Sequence, residues 1–183
     1  MTKFIFERPN YGFADSYRSM VGEFLANGEE LVPFPLTFPN EDFAAFLAEL
    51  EACSQGEGRA AGFVPHSTYW LVKDDVVVAV SNLRHRLTKA LRREGGTIGY
   101  GVRPSARRRG FATEILRRTL QEAWGLGLKE VLITCADTNE GSIRAILKNG
   151  GALESKEFLP ERGETVHRYL VYPLDNSCER PER

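Results

Sequence analysis

The sequence predicts a mixed α/β domain in which an antiparallel meander is followed by a β-α-β crossover, and three observations carry that expectation. Two β-rich runs, 68–72 and 76–84, flank the charged pair Asp74-Asp75, which is a hairpin signal. Ala112, Ile115, Leu116, Thr119, Leu120 and Ala123 fall at i, i+3, i+4, i+7, i+8 and i+11, the spacing of one helical face. Val131-Leu132-Ile133 is a continuous, partly β-branched apolar run of the kind expected in a strand covered on both faces, with a parallel neighbour. Strand, helix and strand in that order imply a crossover.

The other elements follow in chain order. Residues 3–8 alternate as a first strand, and 11–27 carry Phe13, Tyr17, Met20, Val21 and Phe24 at helical spacing, with Gly28 as the stop. Three prolines among apolar residues make 31–39 an ordered loop. Asn40 is then the expected cap of a helix containing Phe43, Phe46, Leu47 and Leu50, which a Gly-rich turn over 55–62 ends. A basic connection through Lys89 and Arg93 leads to a third meander strand, 96–102, which Pro104 closes because proline lacks an amide donor. Beyond the apolar run, a helix with Ile143, Ile146 and Leu147 on one side stops at Asn149-Gly150-Gly151. Strands are expected around 153–158 and 165–172.

With 183 residues, 42% hydrophobic and 27% charged, the chain is large enough to bury its own core, and one domain is expected over 1–174 with a polar tail at 175–183. No apolar run of signal-peptide or membrane-spanning length occurs, so a cytoplasmic location and no membrane partner are expected. Three scattered cysteines (Cys53, Cys135, Cys178) make no disulfide framework, and His66, His85 and His167 lack the spacing of metal ligands. A formal net charge of −1 gives no global pull on polyanions, so an anion site must be local.

Such a site is legible between Val102 and Thr113. A strand end, Pro104, the basic triplet Arg107-Arg108-Arg109, Gly110 and the start of the amphipathic helix occur in that order. The first turn of a helix presents unpaired N–H groups and the positive end of the peptide dipoles, where a pyrophosphate fits. Gly110 removes a side chain that would hold a ligand off the backbone, Ala112 permits close helix–sheet packing, and guanidinium groups suit phosphate oxygens. Read alone, an arginine triplet at a helix start is a solvated surface; its setting is what favours an anion site.

These residues resemble the acyl-CoA-binding motif of the GNAT superfamily, V-x-P-x-x-R/Q-x-x-G-x-G/A, at Val102, Pro104, Arg107, Gly110 and Ala112. The resemblance spans about 68–172. Thr68-Tyr69-Trp70-Leu71, Asn82-Leu83-Arg84-His85 and Gly99-Tyr100-Gly101-Val102 are similar to a bacterial group of predicted acetyltransferases. It implies an N-acetyltransferase with acetyl-CoA as cosubstrate, no metal, and a mixed sheet splayed open beside Val102. The cofactor residues it implies are Val102, Arg103, Arg107, Arg108, Arg109, Gly110, Phe111, Ala112, Thr113, Asn139 and Ser142, with Val102 N–H on the thioester carbonyl. Asn139 is equally readable as a helix cap. Residues 1–66 would then be the acceptor-side segment and 67–174 the acyl-CoA-binding core.

The chemistry sharpens one departure. A primary amine, with a pKa of about 10.4, must lose a proton, whereas a thiolate leaves readily because its pKa is about 8.5. Where many GNAT members carry a tyrosine acid, this chain has Ile146. Another residue, or water, protonates the thiolate, or the protein binds acyl-CoA without turnover. Strand parity puts Ser81, Leu83 and His85 on one face and Tyr100 with Val102 on one face of the next strand, which makes Tyr100 and His85 the candidate catalytic residues. Tyr69, Glu94, Glu154 and Glu157 are further candidates. The acceptor is expected to be a small-molecule amine or a peptide or protein amine, and a homodimer through a sheet edge stays open. Two alternatives compete: a non-catalytic acyl-CoA-binding or sensing module, and a nucleic-acid surface made by six arginines between Arg103 and Arg118, which the near-neutral total charge disfavours.

Overall fold

The computed structural model describes residues 4–57 and 63–173. The meander forms a four-stranded antiparallel sheet of β1 (Ile5–Glu7), β2 (His66–Lys73), β3 (Val76–Arg84) and β4 (Ile98–Val102), in that spatial order. Asp74 and Asp75 both adopt left-handed backbone (φ 50° and 59°), as a two-residue hairpin turn requires and as aspartate tolerates. α1 (Ala14–Ala26) and α2 (Phe43–Gln55) cover one face. There Tyr17 stacks on Trp70 with ring centroids 4.9 Å apart, and Phe43 and Phe46 complete a buried aromatic cluster. α4 (Phe111–Gly125) covers the opposite face, where Ile115, Leu116 and Leu120 are buried against Ala79, Leu83 and Ile98.

A second antiparallel sheet follows, with β5 (Val131–Ala136), β7 (Glu164–Val171) and β6 (Ala152–Leu159) in that order, and α5 (Glu140–Lys148) between β5 and β6. The crossover from β4 through α4 to β5 is present, but the expected parallel pairing is not. The ladder neighbour of β5 is β7, antiparallel. β4 and β5 meet only at their starts, where Thr97 N–H donates to the Leu132 carbonyl (2.6 Å) and Leu132 N–H to Thr97 Oγ1 (3.0 Å). Gly96 makes this clasp possible. It has φ +63°, and a Cβ there would lie 2.5 Å from the Leu132 carbonyl oxygen. The same left-handed backbone is why β4 begins at Ile98 and not at 96.

Three local expectations are corrected. The cap of α2 is Asp42, whose Oδ1 accepts from Ala45 N–H (3.0 Å), and not Asn40. Arg18 donates to the carbonyls of Asn40 and Glu41 (both 3.0 Å), which withdraws them from helical bonding. Leu147 is exposed, because Ser142, Ala145 and Ile146 form the inner stripe of α5 at i, i+3 and i+4. The connection through Lys89 and Arg93 is helical, forming α3 (Lys89–Arg93) capped by Thr88. Most of the expected Gly-rich turn, at 58–62, and the tail at 175–183 lie outside the described residues. Among the described residues no helix is long and apolar enough to cross a membrane.

The loop between α1 and α2 crosses β4 on the face opposite α4. A Cβ on Gly101 would sit 2.0 Å from the Val32 carbonyl oxygen, and Pro33 covers Gly99. Gly101→Ala is therefore expected to lower unfolding stability by about 1–3 kcal/mol in urea titrations. Gly22→Ala, in mid-α1 with nothing within 4 Å of its Cβ, should raise it by up to about 1 kcal/mol. Equal stability of the two variants would contradict this packing.

Candidate active site

Between β4 and α4 the backbone forms an anion-shaped cradle. Pro104–Ala106 makes a single 3₁₀ turn, after which Arg108 (φ +62°) and Gly110 (φ +85°) adopt left-handed backbone. Alternation of this kind turns successive N–H groups toward one concavity. The first helical bond of α4 runs from Glu114 N–H to the Gly110 carbonyl (3.1 Å), so the amides of residues 108–113 meet no acceptor among the described residues. Nothing lies within 4 Å of a Cβ on Gly110, which leaves the cradle open.

The arginines beside it divide into two kinds. Arg103 donates to Glu23 Oε1 (2.6 Å) and to Ser19, while Ser105 N–H donates to Glu23 Oε2 (3.0 Å). Arg107 donates to both oxygens of Glu29 (2.9 and 2.5 Å) and through Nε to the Val102 carbonyl (3.3 Å), and lies over the Phe24 ring. Hydrogen bonds from Arg107 hold the Glu29 carboxyl below its ordinary range; at Glu23, burial pushes upward but the bonds from Ser105 and Arg103 outweigh it. Arg108 and Arg109 are exposed and, among the described residues, have no carboxylate partner. Glu23 of α1 and Glu29 just beyond it thus fix the loop through two arginines, and Arg108 and Arg109 are left outward-facing. No sequence signal announced Glu23 or Glu29, which lie 78–82 residues from their partners.

Beyond the clasp, β4 opens toward β5. The ladder bonds Arg103 N–H to the Val78 carbonyl (2.9 Å) and Arg84 N–H to the Thr97 carbonyl (2.8 Å) bracket β4 and set its odd-numbered residues as the hydrogen-bonded set. Antiparallel ladders alternate, so the amides of Tyr100 and Val102 point away from β3, into the gap. On the α4 face, the Tyr100 hydroxyl meets Ser142 Oγ at 2.7 Å. Burial pushes the Tyr100 phenol well above its ordinary pKa, the Ser142 hydrogen bond only partly offsetting it, so the proton stays on. Asn139 caps α5, its Oδ1 accepting from Ser142 N–H (3.0 Å). Cys135, at the end of β5, is a free thiol beside this pair, raised by burial and lowered by Ser142.

The sequence model for the acetyltransferase (GNAT) domain matches residues 15–152. The chain belongs to the GNAT acetyltransferases. Known folds agree, with the likeness resting on shape at low identity. The microcin C7 self-immunity acetyltransferase MccE, solved with acetyl-CoA and AMP, superposes with a TM-score of 0.67 at 16% identity over 93% of this chain and 92% of that one. The ribosomal L7/L12 α-N-protein acetyltransferase RimL, solved with coenzyme A, gives 0.66 at 15% identity over 94% and 95%. The putative acetyltransferase yncA of Salmonella typhimurium, solved with acetyl-CoA, gives 0.63 at 14% identity over 96% of each chain. No curated protein sequence matches significantly.

Within this GNAT domain the usual acid position is core. Ile146 is fully buried, and Gly151 packs so closely that a Cβ there would lie 2.3 Å from Ile146 Cγ2. The structure brings Tyr100, Val102, Asn139 and Ser142 together but leaves the other candidates apart. His85 Nε2 bonds Ser67 Oγ (2.9 Å) beyond the end of the ladder, four residues along β3 from Ser81, the partner of Tyr100, which is about 13 Å at strand rise. Burial, then Arg8, lowers its pKa. Tyr69 is buried against Phe6 and reaches Glu122, Glu94 pairs with Arg162, and Glu157 pairs with Arg93 and Arg168. Glu154 is exposed beside Ser155. Among the described residues no cluster of three or more His, Cys, Asp or Glu could hold a metal ion.

The neighbour of His85 titrates usefully. His66 is 4% exposed, and Asn82 Nδ2 donates to its Nδ1 (2.8 Å), which demands a neutral ring there. Burial, followed by Arg84, His85 and Arg8, pushes its pKa down to about 4. Because the folded pKa lies below the unfolded one, its contribution to stability is complete above about pH 6.5 and is lost as pH falls toward 4. Unfolding free energies of wild type and His66→Gln, measured from pH 7 to pH 4, should converge by about 3 kcal/mol. Parallel curves would contradict a buried neutral His66.

Proposed function

We propose that the chain transfers an acetyl group from acetyl-CoA to a primary amine by direct attack. The observation that carries this reading is the run of unpaired amides at residues 108–113, continuous with the open amides of Val102 and Tyr100 on the β4 edge. The groups present fit acyl-CoA: a backbone cradle flanked by the free cations Arg108 and Arg109 suits a pyrophosphate, and a strand edge suits the amide-bearing arm behind it. Phe111, Ala112 and Thr113 contribute their amides to the same cradle. Arg103 and Arg107 act by holding the loop and the Val102 carbonyl in place. The crystallised neighbours bound to acetyl-CoA or coenzyme A support the same ligand.

Acetyl-CoA supplies, when bound, an acetyl group activated as a thioester. The amides of Tyr100 and Val102 are fixed donors for an oxygen gaining negative charge, at no cost of reorganisation. The Tyr100–Ser142 hydroxyl pair holds a proton beside the gap and delivers it to a departing thiolate, the task a tyrosine at the position of Ile146 would otherwise perform. Asn139 positions Ser142 through the cap of α5. Residues 1–66 form the acceptor side, with the loop over Gly99 and Gly101 as one wall, and 67–174 the acyl-CoA-binding core. The acceptor is an amine, small or on a peptide or protein, as the α-N-protein acetyltransferase neighbour suggests. We place the reaction in the cytoplasm.

Ile146 favours the second reading, an acyl-CoA sensor without turnover, and one assay separates the two. Free thiol released from acetyl-CoA should depend on an added amine across an amine panel. Tyr100→Phe and Ser142→Ala should each lower kcat about 10- to 100-fold with little change in the KM for acetyl-CoA. Tight acetyl-CoA binding with no amine-dependent release would establish the sensor instead.

A further inference from the structure

A basic cleft lies away from the cradle, at the opposite end of β4. It is built around the clasp residues Thr97 and Leu132 and is lined by Arg84, Arg86, Arg92 and Lys129, with Glu130 as its one carboxylate. Glu130 faces Arg92 at 3.4 Å, so among the described residues Arg84, Arg86 and Lys129 remain without a carboxylate. Arg86 and Lys129 are exposed.

Arg84 is the unusual member. Among the described residues, the arginines that are not exposed are Arg8, Arg18, Arg84, Arg103, Arg118 and Arg168. The other five each meet a carboxylate, from Glu51, Asp15, Glu23, Glu114 and Glu157 respectively. Arg84 meets only main-chain oxygen, its Nη1 donating to the carbonyls of Gly95 (2.8 Å) and Gly96 (2.9 Å). Among the described residues its Nε and Nη2 meet no hydrogen-bond acceptor, and the side chain lines the cleft. Burial depresses its pKa with nothing offsetting, yet a guanidinium does not give up its proton in a protein. A half-buried cation without a counter-charge is costly, and an anion from outside relieves that cost.

We propose that this cleft binds a small, multiply charged oxyanion, held by the free donors of Arg84 and by Arg86 and Lys129. The fork of a guanidinium matches two oxygens of a phosphate or carboxylate, and the two exposed cations close over it as point charges. The site is separate from the cradle at residues 108–113, because the five residues of β4 between them span about 16 Å. It also touches the point on which the gap depends, since Arg84 holds the carbonyls of Gly95 and Gly96 that lead into the Thr97–Leu132 contact. Bound anion would therefore stiffen the hinge from which β4 and β5 diverge.

Inorganic pyrophosphate is the probe, titrated by calorimetry into the intact wild-type chain, into Gly110→Glu, and into the doubly substituted Arg86→Ala, Lys129→Ala protein. Both altered cations are exposed, so the fold is spared. Gly110→Glu should retain one pyrophosphate site. The double variant should lose that site by at least tenfold, since two charge-assisted contacts go, while acetyl-CoA binding is unchanged. Complete loss of pyrophosphate binding in Gly110→Glu, or wild-type binding by the double variant, would overturn the proposal. Neither outcome bears on whether acetyl-CoA occupies the cradle.

Discussion

The main-chain contact between the two sheets sits where β4 and β5 begin, and beyond it no ladder joins the two strands. Thr97 and Leu132 exchange two hydrogen bonds, and Gly96 lets the chains approach to a distance that a side chain would forbid. Past that point β4 follows β3 and β5 follows β7, each satisfied by its own ladder. The amides on the free edge of β4 are left without partners, a costly arrangement in a core but a useful one at a ligand site. Arg84 braces the clasp from one side, and buried Arg168 holds the carbonyls of Arg92 and Arg93, anchoring α3 over the second sheet.

At the far end of β4 the same economy applies to charge. Glu23 and Glu29 tie down Arg103, Ser105 and Arg107, so the loop keeps its shape before any anion arrives. Preorganised amides lose little freedom on binding, and Arg108 and Arg109 remain to attract a phosphate. Because the anchoring carboxylates belong to α1 and the loop after it, the segment walling the opposite face of β4 is mechanically linked to the cradle. The cradle and the loop beside Gly99 and Gly101 thus rest on one frame.

Much of this was legible in the sequence because it is local. The Asp74-Asp75 turn, the face of α4, the stop at Pro104 and the open space at Gly110 each follow from a few adjacent residues. The misplaced details are those decided by distant contacts. Asn40 loses its capping role to Asp42 because Arg18, on another helix, takes two carbonyls. β5 pairs with β7 because the clasp ends after one residue, which no periodicity reveals. Likewise Tyr100 and Ser142 were named separately, but their meeting across the gap depends on how far α5 swings over β4. His85 shared the right strand parity with the site, yet parity sets the face and not the distance along it.

The central claim is that the cradle at residues 108–113 and the β4 edge bind acetyl-CoA. Calorimetric titration of acetyl-CoA into wild type and Gly110→Glu tests it most directly, with circular dichroism confirming that both are folded. One site in wild type, lost in the folded variant because a carboxylate now occupies and repels the pyrophosphate position, is the expected result. Absence of binding by wild type, or undiminished binding by the variant, would contradict the site.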